Sequence, residues 1–392
     1  MTQPRGLYVH FPWCVHRCPY CDFVLTTARV PPSEAYTDAL LAELAHRRQT
    51  EWDGALGTLY IGGGTPSLWE PRALARFVAA VAPELVASAE RTLEANPEQV
   101  DDEWLEAITA LGFNRVSLGV QSLDAEALTH LGRGHGPDGA ARALDRLADA
   151  HAGGRLGSFS VDLMYGWRRS DGRPQEVEGL LAEATAIVTR WRPPHLSCYA
   201  LTVEPRTVLG RKVRDGLVAA PDDGLQAEMM FALRDHLAEL GYRHYEVSSF
   251  ARDGALAVHN TRYWDMTPWL GLGAGAAGFT GTRRYRNQPV IRRYLAAEPH
   301  ATEIESQLLT DDDLAFDAVM TGLRRLDVGV AWTDALEDRF GETMRRAVAD
   351  GRLHREDGAA GPRVRVTDMG LRFLDDVLAE LLVSLDAPVK RP

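Results

Sequence analysis

The sequence predicts an α/β chain: a partial (β/α)6 barrel followed by a smaller, mostly helical, winged-helix-like module. Three observations predict it. Six short β-rich runs alternate with helical stretches through the first half of the chain, the pattern of a parallel sheet with outer helices. Glu94, Gln121 and Asp162 stand at or just past the ends of three different runs. Polar groups on separate strands converge only if the sheet curves around a common mouth. From about Gln307 the pattern changes to short amphipathic helices and then two short strands, as in a winged helix.

The elements follow in order. Leu7–Phe11 is the first strand, and Glu34–Gln49 is helical, with Tyr36, Leu40, Leu41 and Leu44 on one face. Thr58–Ile61 is a strand that runs into Gly62-Gly-Gly-Thr-Pro66, and Pro71–Val81 is a helix. Arg91–Ala95, Arg115–Val120, Phe159–Met164 and His195–Ala200 complete the strands. Their helices are Asp101–Leu111, Asp124–Leu131 with Pro137–Ala150, and Gln175–Thr189. Thr202–Asp223 is linker-like, and Asp222 caps a helix to Leu240. Tyr242–Ser249 is a further strand, and the small residues Leu270–Gly278 suit a close backbone approach to a ligand or a packed element. The tail predicts helices over Asp311–Leu326, Ala331–Phe340, Glu342–Asp350 and Thr367–Leu385, with strands at Gly351–Arg355 and Arg363–Val366. The expected organisation is a barrel over 1–240, a connecting segment over 241–306 and a C-terminal module over 307–392.

Length and 45% apolar content allow one large and one smaller core. The net charge of −12 argues against non-specific nucleic-acid binding. No run of apolar residues is long enough to span a membrane. The first residues, Met-Thr-Gln-Pro-Arg-Gly, lack a charged-then-apolar signal region, so a reducing cytoplasm is expected.

The chemistry concentrates in Cys14-x3-Cys18-x2-Cys21; a single further cysteine, Cys198, follows far downstream. Three thiolates on one loop suit a 4Fe–4S cube whose fourth iron stays open to an outside ligand. A zinc site completed by His10 or His16 is the competing metal reading. Three buried structural cysteines are a further bland reading. Cys198 reads as a small buried apolar residue.

Around these cysteines the chain resembles radical S-adenosylmethionine (SAM) enzymes. Tyr20 precedes the last cysteine, and Gly62-Gly-Gly-Thr-Pro66 is similar to the glycine stretch that packs on the SAM aminoacyl group. Leu7-Tyr-Val-His-Phe-Pro12, Leu93-Glu-Ala-Asn-Pro97, Ser117–Ser122, Leu131-Gly-Arg-Gly-His135 and Val161–Gly166 narrow the resemblance. They resemble the oxygen-independent coproporphyrinogen III oxidase-like family over essentially the whole chain. The resemblance implies a 4Fe–4S cluster on Cys14, Cys18 and Cys21. It implies SAM, one molecule or two, against Tyr8, Glu94, Gln121, Arg133 and Asp162. Tyr20, Gly62, Gly63, Gly64, Thr65 and Ala200 are implied as backbone or packing contacts. An Arg fork suits a carboxylate.

Two functions compete within that family: oxidative decarboxylation of coproporphyrinogen III, and heme carriage by HemW-type heme chaperones. The true oxidases resemble Cys-Gly-Cys after the third cluster cysteine, whereas this chain has Asp22-Phe23. They also carry a longer N-terminal extension. His259-Asn-Thr-Arg-Tyr-Trp264 matches the chaperone signature. The resemblance therefore implies a heme chaperone that passes heme to acceptor proteins, membrane-associated respiratory proteins among them. Its heme site would comprise His259, Asn260, Tyr263 and Trp264, with His259 as axial ligand; an imidazole can ligate heme iron, and aromatics can cover the macrocycle. His244 and His135 are weakly motivated second ligands. A two-SAM radical methyltransferase is the remaining enzymatic alternative. No catalytic residue is assigned.

Overall fold

The computed structural model describes residues 4–51, 54–359 and 361–385. The six expected strands form: β1 (Arg5–Phe11), β2 (Leu56–Gly63), β3 (Leu85–Ala95), β4 (Arg115–Gln121), β5 (Ser158–Tyr165) and β6 (His195–Ala200). They pair in parallel in chain order. Between them run α1 (Ser33–Thr50), α2 (Pro71–Val81), α3 (Asp102–Ala110), α4 (Ala125–His130), α5 (Gly136–Ala152) and α6 (Val177–Trp191).

Alternation along the strands decides what faces each side. Leu7, Val9 and Phe11, Leu59 and Ile61, Val116, Leu118 and Val120, and Val161 and Leu163 are buried in one core with the helices. The opposite parity carries polar groups inward: Tyr8 and His10, Thr58 and Tyr60, Glu90 and Glu94, Ser117, Ser160 and Asp162, and His195 and Ser197. Helix α2 shows how a helix meets that core. Glu70 caps its N-terminus by accepting from Ala73 N, Pro71 opens the first turn, and Leu74, Phe77, Val78 and Val81 are buried. Cys198 lies in the same core, on the helix side of β6.

The stretch 241–306, expected as a connecting segment, carries strands of its own. That stretch extends the barrel sheet at both edges. β7 (Arg243–Glu246) and β8 (Ser249–Ala251) form a hairpin beside β6, not one strand. β9 (Trp269–Leu272) pairs in parallel with β1, a seventh parallel strand. β10 (Ala277–Phe279), β11 (Arg283–Asn287) and β12 (Glu303–Leu308) continue antiparallel. The small residues of 270–278 serve this packing. A Cβ on Gly271 would lie 2.1 Å from Ala277 O, and Gly273, at φ +99°, would meet His10 O at 2.6 Å. Glu43, fully buried on α1, ties the extension down by accepting from Gly273 N, Asn287 Nδ2 and Tyr294 Oη at 2.7–3.0 Å.

Within the linker-like stretch lies α7 (Val208–Arg214), then α8 (Asp223–Glu239); α9 (Val258–Trp264) and α10 (Ile291–Leu295) follow. The C-terminal module has its own core of Val319, Leu323, Phe340, Met344, Val364 and Leu381. It comprises α11 (Asp311–Gly322), β13 (Val330–Ala331), α12 (Asp334–Ala349), β14 (Leu353–Gly358), β15 (Gly361–Val366), α13 (Asp368–Arg372) and α14 (Leu374–Leu385). The expected boundary at 307 falls inside β12. Two expected helices run together through Gly341 as α12, and the expected last helix breaks at Phe373. The wing has three strands, ordered β13-β15-β14.

Candidate functional site

The cysteine loop leaves the C-terminal end of β1 and is pinned by Trp13–Cys14 pairing with Thr26–Thr27. Cys14, Cys18 and Cys21 are each half-buried. Thr65 Oγ1 donates to Cys14 Sγ at 3.3 Å, and an Arg133 guanidinium nitrogen donates to Cys18 Sγ at 3.6 Å. Burial pushes the Cys14 thiol up to about 11, against the Thr65 hydroxyl, so a thiolate there needs a cation beside it. Among the described residues no three His, Cys, Asp or Glu side chains gather on a point that would hold a single ion. Three half-buried thiols on one loop, two of them accepting hydrogen bonds, fit a cluster with several metal corners.

The two histidines weighed for zinc are engaged elsewhere. His10 Nε2 donates to the Val24 carbonyl at 2.7 Å, so neutral Nδ1 accepts from Tyr8 Oη at 2.9 Å. His16 Nε2 donates to the Gly132 carbonyl at 2.8 Å. Burial lowers the His10 pKa.

Above β2 and β3 the mouth holds a carboxylate. Glu94 accepts from Tyr60 Oη at 2.6 Å and from Gly63 N at 3.0 Å. Burial raises Glu94 to about 7, with Tyr60 opposing and Asp162 reinforcing. Gly62 is required by this approach, since a Cβ would sit 2.8 Å from both Glu94 Oε1 and Tyr60 Cε1. Three amides of the glycine stretch are paired within the chain. Gly63 N is taken by Glu94, Gly64 N by the Phe11 carbonyl and Thr65 N by the Trp13 carbonyl.

Arg133 donates to Asn96 Oδ1 at 2.5 Å and to the Gly119 carbonyl at 2.7 Å. A Cβ on Gly119 would crowd Gln121 Nε2, Arg133 and Asn96 together, so that glycine lets three side chains meet. Gln121 sits at φ 68°, a strained position for a non-glycine residue at the end of its strand. Asp162 accepts from Ser117 Oγ at 3.1 Å and Ser160 Oγ at 3.3 Å; burial raises its pKa, with Arg115 opposing. Tyr8, Gly62, Gly63, Thr65, Glu94, Gln121, Arg133 and Asp162 therefore share the barrel interior and mouth. The Ala200 side chain packs on the helix side. The Tyr20 ring packs on the small cluster of Leu131, Trp167 and Leu201, with its hydroxyl on Cys18 and beside Arg133.

Tyr60, Asn96 and Gly119 were given no role from the sequence, and His10 was weighed only as a zinc ligand. Their signal was available as interior strand parity: Tyr60 is two residues before Gly62, and Asn96 two after Glu94.

The predicted heme residues lie at the opposite end of the barrel. Glu90, on β3, caps α9 by accepting from Val258 N and His259 N at 2.9 and 2.8 Å. His259 is fully buried. Its Nδ1 pairs with Thr58 Oγ1 and its Nε2 with Tyr263 Oη, both at 2.8 Å. Burial lowers it to about 3, so the ring is neutral. In this conformation both ring nitrogens of His259, the expected axial ligand, are engaged in hydrogen bonds. Asn260 and Trp264 are half-buried. Trp264 and Met266 face Leu314, Ala318, Val330 and Leu336 across a cleft of about 580 Å³ between α9 and the C-terminal module.

The radical SAM superfamily profile matches residues 8–174. Heme chaperone HemW of Escherichia coli is 34% identical over 97% of this chain and 99% of its own. Heme chaperone HemW of Mycobacterium tuberculosis is 35% identical over 97% and 95%. The chain belongs to the HemW family. Among solved structures, coproporphyrinogen III oxidase (HemN) from Escherichia coli, described as a radical SAM enzyme, superposes with a TM-score of 0.79 at 23% identity. The match covers 97% of this chain and 90% of that one. At that identity the likeness establishes the fold alone. Membership in HemW and the superfamily implies a 4Fe–4S cluster and SAM. No helix among the described residues is long and apolar enough to cross a membrane.

Proposed function

We propose that this protein is a heme chaperone that binds heme and passes it to acceptor proteins, on a barrel that holds a 4Fe–4S cluster and SAM. The observation that carries the reading is near-full-length identity of 34–35% with proteins named for that role. Cys14, Cys18 and Cys21 would hold the cluster, which would supply one-electron chemistry to SAM. Glu94, Gln121, Arg133 and Asp162 line the pocket for SAM, with Gly62 and Gly63 making room. Arg133 bridges the cluster loop and the pocket through Cys18 and Asn96.

Heme meets the signature helix α9 on its accessible side. His259 faces the interior with both nitrogens taken, so contact falls on Asn260 and Trp264 and on the cleft beside Trp264. A cleft of this size, lined mostly by apolar and small residues with Asp265, Asp311, Thr333, Arg339 and Arg363 among them, suits a flat, largely apolar ligand with a polar edge. The decarboxylase reading is not favoured: Phe23, after the third cysteine, is 61% exposed and stands where the oxidases resemble a further cysteine.

The test is an anaerobic heme titration of the reconstituted protein, followed by visible absorption, beside Trp264→Ala and His259→Ala. A saturable Soret shift that Trp264→Ala weakens is expected. Absence of saturable binding in the wild-type protein would overturn the reading and turn attention to coproporphyrinogen turnover.

A further inference from the structure

The buried half of α9 reaches into the barrel from the end opposite the cysteine loop. Thr58, which pairs with His259, stands near the start of β2, whereas Gly62 and Gly63 end the same strand. Between them, on the same interior parity, lies Tyr60. The His259 and Tyr60 rings stack with centroids 5.1 Å apart and planes at 28°. Tyr8 lies 6.4 Å from His259 and 6.1 Å from Tyr60. Tyr60 then donates to Glu94, whose other oxygen takes Gly63 N.

Each link in this column is held from the side. His259 cannot tilt without giving up Thr58 or Tyr263. The helix that carries it cannot slide without uncovering Glu90, and Arg262 anchors the same helix to the Pro4 carbonyl at 2.6 Å. Gly6 and Gly57, at the starts of β1 and β2, leave the space that Arg262 fills. The ring is therefore built into the barrel floor.

We infer that His259 is a positioning residue of the SAM pocket: it is the shelf on which Tyr60 rests, and Tyr60 keeps the Glu94 carboxylate turned to the mouth. This rests on the reading of Glu94 as a SAM contact. Position 259 requires a flat, neutral group that bonds at both ends. A neutral imidazole meets that need, and its lowered pKa keeps it uncharged.

The experiment measures SAM affinity by equilibrium dialysis on anaerobically reconstituted protein, with iron content and far-UV circular dichroism recorded for every variant. Glu94→Gln tests the underlying reading, His259→Ala removes the shelf, and Tyr60→Phe removes the hydroxyl. Thr58→Val serves where His259→Ala fails to fold, because it frees the ring while keeping the packing. His259→Ala is expected to weaken SAM binding about tenfold, the scale of a disturbed hydrogen bond to a charged group. Adding Tyr60→Phe to it should add little, since both act on one carboxylate. His259→Gln, which bonds at both ends, should recover part of the loss.

Unchanged SAM affinity in His259→Ala or Thr58→Val, with Glu94→Gln weakened, overturns the inference and leaves Glu94 in the pocket. Unchanged affinity in Glu94→Gln overturns both. Loss of heme binding in His259→Ala with SAM affinity intact overturns it in favour of a ligand role.

Discussion

At the residue scale the mouth turns on close approaches that tolerate no added atoms. Gly62→Ala would place a methyl 2.8 Å from Glu94 Oε1 and Tyr60 Cε1, and neither is a loose end of a flexible chain. Its expected outcome is a folded protein with normal iron content and SAM binding weakened at least as much as in Tyr60→Phe, read by the same dialysis. The neutrality of His259 gives a second prediction. An unfolded histidine titrates near its usual value, whereas the buried ring resists protonation down to about 3. The unfolded chain therefore binds more protons below about pH 6.5, and this contribution to stability is lost as pH falls from there towards 3. In His259→Gln the urea-derived stability should fall less steeply between pH 7.5 and 5.5, by at most about 1.4 kcal/mol per pH unit for one proton. Slopes that coincide would mean the histidine is protonated when folded. The cysteines, Glu94 and Asp162 were legible because each stands in a spaced motif. Tyr60 and Gly119 were not, because an aromatic or a glycine inside a strand reads equally well as packing. The orientation of His259 was invisible for a different reason: a helix of seven residues has no periodicity long enough to declare its inner face.

At the element scale α9 is too short to stand by itself, and its placement depends on Glu90 reaching across from β3. The helix lacks a side-chain cap of its own, so Glu90 supplies from another element what an N-cap residue usually supplies locally. Glu90→Ala should lower stability by about 1–2 kcal/mol by this loss and weaken SAM binding in the same direction as His259→Ala. Urea unfolding checks the first and dialysis the second; a stability loss with SAM affinity unchanged would confine Glu90 to capping. The alternation of six strands and six helical stretches was readable because each strand is apolar towards the helices and ends in turn residues. The seventh parallel strand, Trp269–Leu272, was not. It is four residues long, runs straight into a glycine-rich stretch, and acquires its identity only by pairing with β1 at the far end of the chain. Such long-range pairing leaves no local pattern. The same holds for α12, where Gly341 reads as a break locally but lies inside a helix packed on its own core.

At the scale of the molecule the two predicted sites occupy opposite ends of one barrel. The cysteine loop and Gly62–Thr65 follow the C-terminal ends of β1 and β2, and α9 seals the other end beside the C-terminal module. The module is joined there by charge: Arg325, itself buried, donates to both Asp265 oxygens at 2.8 and 2.9 Å and to Asp327 at 3.0 Å. Asp265 directly follows Trp264, so this bridge borders the cleft proposed for heme. Removing one partner of such a half-buried pair leaves the other without its charge. Separation of the ends predicts that heme binding does not need the cluster. A protein carrying Cys14→Ala, Cys18→Ala and Cys21→Ala together loses its thiolates at the mouth, yet every contact of α9 and of the cleft remains. Its heme affinity, read by the Soret shift, should match the wild-type protein within about twofold, while Arg325→Ala, which unpins the cleft, should weaken it. Transfer to an acceptor is a separate readout. If SAM at the mouth gates release through the Tyr60–His259 column, the triple variant should bind heme normally and deliver it poorly. Loss of heme binding in the triple variant would show that the cluster loop itself forms part of the heme site, and the separation drawn from the fold would fail.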